Sequence, residues 1–239
     1  LGIFILGAPG SGKTKYLVEP LLFHLIEKGY GGIIYDYDFS TTGAEQSYSL
    51  STLTHHLALQ RARGRVRALS INYQHLTTSA RVNPIDPSFV SDRKKLSATL
   101  KVLLTNLTPD LAQKEDFWLK NTYALLKALI VLLANQYPMH CTLPHVIMLG
   151  LQPTKKLLSL IKTDSEATLY ASPILDAAAG APEQLAGVMA NFKVTLDPLI
   201  DPHLFWVLGA QDFPLTINDP SDPHLICLGN TPTEKQMLS

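Results

Sequence analysis

Residues 1–36 read LGIFILGAPGSGKTKYLVEPLLFHLIEKGYGGIIYD, and the order of residue types in that stretch decides the fold. Residues 1–6 are an apolar run, which predicts a buried parallel strand. Gly7 ends the run. Residues 13–27 then place Tyr16, Leu17, Leu21, Phe23, Leu25 and Ile26 at helical spacing, and Gly29 is the stop signal. Residues 32–36 (GIIYD) form a second apolar run with strand character. Strand, glycine loop, helix, strand is a βαβ unit, so the fold class expected is α/β with a parallel sheet.

The loop at residues 7–14, GAPGSGKT, fits G-x-x-x-x-G-K-[ST]. Gly7, Gly10 and Gly12 allow tight, partly left-handed backbone torsions. Ala8, Pro9 and Ser11 complete a wrapped segment whose successive N–H groups face inward as an anion nest. The helix that follows adds its positive N-terminal dipole. Lys13 is the candidate catalytic residue, with its ammonium at the β and γ phosphates. The Thr14 hydroxyl is the candidate Mg²⁺ ligand. The implied cofactors are therefore ATP and Mg²⁺. With Gly near 7% of residues, a chance match in a chain this long is about one in a hundred. The strand before and the helix after supply the context that the motif requires.

A P-loop ATPase also needs an acid at the end of another strand to hold Mg²⁺ or polarise water. Asp36, at the end of GIIYD, fits a metal acid, a substrate-binding acid or a solvated strand end. The later apolar run at residues 224–228 (HLICL) runs into Gly229-Asn230 instead of an acid. A convincing Walker B is therefore missing, and the chain is expected to lack a complete hydrolytic centre.

The rest of the 239-residue sequence divides by character. Residues 40–51 are rich in Ser, Thr and Gly, residues 53–62 read as a short helix, and residues 65–71 read as a strand. From residue 88 the pattern is helical, with helices expected at 92–104, 116–136, 143–149, 154–161, 163–179 and 182–196, and Ser91 or Asp92 as a cap. Pro182 suits a first helical position. The expected domains are residues 1–87, the first part of a nucleotide-binding domain; 88–198, an all-α insertion; and 199–239, a return to the nucleotide-binding domain that stops before Walker B. The chain opens at Leu1 inside an apolar run and lacks a clear stop, so it is expected to be a fragment of a longer polypeptide.

Composition narrows the classes. Twenty Lys and Arg balance twenty Asp and Glu, so no overall charge draws the chain to nucleic acid or anionic lipid. The longest apolar run, residues 123–134, is interrupted by Lys127 and falls short of the roughly 20 residues of a membrane span; it reads as a buried core helix. No signal peptide is visible. Cys141 and Cys227 read as buried, reduced thiols. His140, Cys141 and His145 lack a second Cys/His pair at zinc spacing. Arg61, Arg63, Arg65 and Arg67 read as a solvated helix end and strand start, with a DNA contact or an arginine finger as the functional alternatives. Phe117 and Trp118 read as core, Glu115 and Asp116 as an acidic first helical turn, and His55 and His56 as surface.

Five stretches together resemble one family: the P-loop and its strand, IIYDYDFS at 33–40, RVNPIDP at 81–87, the helical block with Asp116-Phe117-Trp118 and CTLPHVI at 141–147, and FPLTINDPSDPHLICLGNTP at 213–232. They look like the TraG/TraD-like coupling ATPases of conjugation and type IV secretion, in the mobilisation variety of Bacteroides-type elements. The resemblance implies a RecA-like nucleotide-binding domain interrupted by an all-α domain. It implies hexameric rings at the cytoplasmic face of the bacterial inner membrane, anchored by an N-terminal membrane segment. It implies ATP-driven delivery of relaxase-bound single-stranded DNA to type IV secretion channel proteins. Gly7, Gly10, Ser11, Gly12, Lys13 and Thr14 carry over directly, and Asp36 falls where the family has an acid after its second strand. Asn83-Pro84 matches a family motif whose role the sequence leaves open. Two other readings stand beside this one: a P-loop small-molecule kinase gripping its acceptor with Asp36 and Asp38, and a nucleotide-switched, non-catalytic module that binds DNA or protein.

Overall fold

The computed structural model describes residues 3–8, 10–36, 50–60, 65–73, 75–108 and 117–229, with the backbone alone at Asp36 and Ser51. The chain forms two compact units, one of residues 1–80 with 216–238 and one of residues 81–215.

The first unit holds a three-stranded parallel sheet in the order β1-β3-β2, with β1 at Gly32–Asp36, β2 at Arg67–Ile71 and β3 at His224–Gly229. Gly32 pairs with Leu225 and Asp36 with Gly229 along one edge of β3; Arg67 pairs with His224 and Ile71 with Leu228 along the other. A strand flanked on both sides and covered on both faces tolerates no alternation. His224, Leu225, Ile226 and Cys227 are accordingly all buried. Gly31, just before β1, has no room for a side chain, since a Cβ there would strike the Ile217 carbonyl oxygen.

The helix after the P-loop begins irregularly for a chemical reason. Pro20 has no N–H to give the Tyr16 carbonyl. The turn before it opens to wider bonding over Thr14–Val18, where the Glu19 N–H reaches the Thr14 oxygen. Regular helix α1 follows at Glu19–Glu27. It ends at Gly29 with φ +81°, where Gly29 N–H bonds Ile26 O and Tyr30 N–H bonds Leu25 O, the paired bonds of a Schellman stop. Helix α2, Leu50–Gln60, packs with α1 on the sheet, and Leu22, Ile26, Leu57, Val66 and Leu225 are the buried cluster they share.

One expectation fails in this unit. Residues 3–8 form no strand, and Phe4 and Leu6 are 87% and 82% exposed. The apolar run marks a segment suited to burial, but a strand exists only where a ladder partner lies alongside. The described sheet runs β1-β3-β2, and residues 3–8 pair with none of its strands.

The second unit is helical throughout its described residues. It comprises α3 (Pro87–Val90), α4 (Arg93–Leu107), α5 (Phe117–Gln136), α6 (Leu143–Gly150), α7 (Thr154–Ile161), α8 (Ser165–Tyr170), α9 (Ser172–Gly180), α10 (Pro182–Leu196) and α11 (Pro202–Val207). Helix α5 is long and apolar enough to cross a membrane by length and composition. Here it is the core helix, with Leu125, Leu126 and every residue from Ala128 to Leu133 buried, as a helix apolar on all sides must be. Leu96, Leu100 and Leu104 lay one stripe of α4 on the same core. Asp86, Asp92, Asp164 and Asp201 each cap a helix by accepting backbone N–H bonds.

The segment expected as one helix over 163–179 is two, broken at Ala171 with Pro173 opening the second. Helices α3 and α11 were not anticipated. The compact unit also reaches beyond the 88–198 stretch that reads as helical, because its two ends are sewn together. Arg81 grips Asp212 with two side-chain bonds of 2.8 and 3.1 Å, and Val82 N–H bonds Val207 O at 2.8 Å. Asn83, 4% exposed, donates its N–H to Gln211 Oε1 and its Nδ2 to Cys141 O, and its Oδ1 accepts from Ile85 N–H. A structural role for Asn83 is thus visible where its motif alone was silent.

Candidate functional site

The P-loop is built by its glycines. Gly10 and Gly12 have φ of +76° and +81°, a region in which L side chains are strained. Ser11 N–H closes the loop onto Ala8 O at 3.2 Å, and Tyr16 N–H onto Gly12 O at 2.9 Å. The Tyr16 ring lies on Gly12: a Cβ at that position would be 2.6 Å from Tyr16 Cδ2. A Cβ at Gly7 would meet Ser11 Oγ at 2.8 Å. Lys13 folds over the loop and donates to Gly7 O at 2.6 Å and Ala8 O at 2.8 Å, which sets a cation against the loop next to a helix start at Thr14. Gly7, Ala8, Gly10, Ser11, Gly12, Lys13 and Thr14 therefore come together as one open turn; Pro9 lies outside the described residues.

These residues fit a triphosphate. Left-handed glycines, a helix start and a lysine that already seeks oxygen ligands are the donor set that a polyphosphate requires. Tyr16 was read only as an apolar helix position. Its place four residues after Gly12, on the face of the first turn that overhangs the loop, was the available signal.

Asp36 ends β1 in register with Gly229; its side chain, like Asp38, lies outside the described residues. In a parallel α/β sheet the carboxyl ends of strands are where ligands bind, and Asp36 is at such an end. Arg61, Arg63, Glu115 and Asp116 also lie outside the described residues. Arg67 is on β2 and exposed.

Other expected roles change. Phe117 and Trp118 are 46% and 38% exposed and meet edge to face at 5.2 Å, so they are not core. They occupy the first turn of α5, ahead of its buried stretch. His55 is half-buried, not surface: its Nε2 is 2.9 Å from Ser70 Oγ, and burial holds its pKa below the usual value. Cys141 and Cys227 are buried thiols not joined in a disulfide, as read. Burial pushes the Cys141 thiol up to about 12. Among the described residues no group of three or more His, Cys, Asp and Glu could hold a metal ion.

Neither a family model nor a curated protein matches the sequence. Among solved structures the chain is similar to one described as bacterial conjugative coupling protein TrwBdeltaN70, unbound monoclinic form. The TM-score is 0.60 and the identity 12%, over 95% of this chain and 46% of that one. The likeness defines the class of fold, a mixed helix and sheet protein with a small parallel sheet, shared with a conjugative coupling protein. The chain spans less than half the length of that structure.

Proposed function

We propose that the chain is the nucleotide-binding part of a conjugative coupling ATPase, a RecA-like domain with an all-α domain inserted at residues 88–198. The observation that carries the reading is the P-loop turn, with Gly10 and Gly12 left-handed and Lys13 folded over it. It is joined to a fold similar to that of a coupling protein. In this reading loop N–H groups other than that of Ser11, which bonds Ala8 O, hold the phosphates, Lys13 supplies the cation at their far end and Thr14 faces Mg²⁺. Tyr16 keeps the Gly12 peptide in place beneath its ring. ATP with Mg²⁺ supplies a phosphoanhydride whose cleavage drives movement. Asp36 is assigned a place near the nucleotide. The whole protein works as a hexamer at the cytoplasmic face of the inner membrane, held by an N-terminal segment. It delivers relaxase-bound single-stranded DNA to the type IV secretion channel.

The test is Mg²⁺-dependent binding and turnover of ATP by this chain and by a longer chain that continues into an acidic strand, each with and without single-stranded DNA. The expected result is ATP binding by both, lost in Lys13→Ala, with DNA-stimulated turnover in the longer form. Binding without turnover in either form favours the nucleotide-switched module, and absence of ATP·Mg²⁺ binding overturns the proposal.

A further inference from the structure

Residues 138–162 (PMHCTLPHVIMLGLQPTKKLLSLIK) contain Lys155, Lys156 and Lys162 and neither Asp nor Glu. They fold as a short turn, α6 and α7, and with the end of α5 they enclose a groove of about 640 Å³, within the roughly 300–1,000 Å³ of ligand sites. Leu133 and Leu157 are buried at its base, with Leu149 and Leu160 beside them. Met148, 49% exposed, and Tyr137 line it with His140 and His145. Gln152, Lys156, Ser159 and Thr163, also in the lining, recur at helical spacing as a polar stripe. The three neutral members are satisfied locally, on Met148 O, Lys155 O and Leu160 O. Lys156 is exposed and has no ion-pair partner among the described residues.

We propose that this groove takes an acidic amphipathic helix from a partner protein. Leucine-sized side chains fill the base, and a Glu or Asp on the flank of the helix meets Lys156. Methionine in the lining suits such a surface, because its flexible thioether adapts to varied partners. The described part of this unit has no strand edge to extend, and a leucine-based groove between helices suits helix-in-groove recognition. Nucleic acid is disfavoured, since a phosphate backbone needs several cations and this lining has one Lys, beside His140 and His145, over a leucine base. A bilayer is disfavoured because the apolar surface is concave, whereas interfacial insertion needs a protruding apolar face.

The test uses the full chain without nucleotide and a fluorescent amphipathic peptide of about 15 residues, long enough for helix. The peptide carries Leu on one face and Glu on its flank. A twin carries Lys in place of Glu, and a third probe is vesicles containing anionic lipid. The acidic peptide is expected to bind at least about tenfold tighter than its twin. Met148→Glu abolishes binding. Lys156→Glu weakens it about tenfold and shifts the preference to the Lys twin. Leu169→Glu, at a solvent-exposed site on α8, leaves binding unchanged. The replaced residues are exposed, and circular dichroism confirms that the variants fold. Equal binding of the two peptides, or binding of neither, overturns the proposal. Vesicle binding that Met148→Glu removes, without peptide binding, replaces it with a membrane contact.

Discussion

The helical unit and the sheet unit differ sharply in how much core each has. In the helical unit α5 is buried along most of its length, and α4, α6, α7 and α10 each lay an apolar stripe against it. Among the described residues of the sheet unit the buried cluster is Leu22, Ile26, Leu57, Val66 and Leu225, with Ile71, Ile226 and Cys227 also buried, while Ile33, Tyr35, Leu17 and Leu21 face outward. Apolar burial is the dominant favourable term in folding, and among the described residues the helical unit holds the larger share of it. The glycine loop at residues 7–14 sits in the thinner one. Its shape is held by glycine torsions, local backbone bonds and a helix start, none of which needs a large core. Ligand binding is then the natural source of added stability for the sheet unit.

The largest expected effect separates the two cores directly. Leu129→Ala removes a side chain with no exposure from the centre of α5 and should cost about 2–5 kcal/mol. Leu57→Ala, at the edge of the sheet cluster, should cost about 2 kcal/mol or less, since partial exposure lets the site relax. Urea unfolding followed by circular dichroism reads both, and equal costs would break the contrast.

Next comes the ligand. ATP with Mg²⁺ at a hundredfold excess over its Kd should stabilise the sheet unit by about 2.7 kcal/mol, read as a rise in the first of two thermal transitions. Lys13→Ala should remove that increment. So should Gly12→Ala, which places a Cβ 2.6 Å from the Tyr16 ring at a φ of +81°. A rise confined to the second transition would put the ligand on the helical unit instead.

A third variant acts only on the helical unit. Asn83→Ala leaves the buried Cys141 carbonyl and the Ile85 N–H without their partner, at a cost of about 1–3 kcal/mol. Nucleotide affinity should stay unchanged. A drop in affinity comparable to that of Lys13→Ala would show that the seam closed by Asn83 supports the glycine loop as well.

Local signals account for what the sequence made legible. Strand β1 and helices α7 and α10 lie where their apolar spacing and prolines place them. The turn at residues 7–14 was readable because its left-handed torsions at Gly10 and Gly12 require glycine. What stayed hidden is non-local. The Arg81–Asp212 pair that closes the helical unit spans 131 residues, and the Asn83–Cys141 bond spans 58. The failure at residues 3–6 has the same origin: apolar character says that a segment suits burial, but not that a neighbouring strand is present to receive it. Phe117 and Trp118 show a subtler limit. Periodicity identifies a buried helix without saying that its first turn projects into solvent.

The smallest expected effect tests whether polar contacts add to the imbalance between the units. Arg93 makes two bonds of 2.7 Å to Glu166, and Asn135 joins them at 3.3 Å. The Arg93 hydrogen bonds, followed by that from Asn135, lower the Glu166 carboxyl from 4.5 to about 2. A depressed folded-state pKa contributes stability that is present above the unfolded value and lost as pH falls through the folded one. The window therefore runs from about 4.5 down to about 2. The pair is partly exposed, with side-chain exposures of 26% and 35%, so solvent screening should hold its worth to about 1 kcal/mol or less. Glu166→Gln should be less stable than the parent by that amount near neutral pH, and urea titrations should show the gap closing as pH falls across the window. A gap that persists unchanged at about pH 2 would mean that Glu166 acts through packing against Tyr170 and Asn135 and not through its charge.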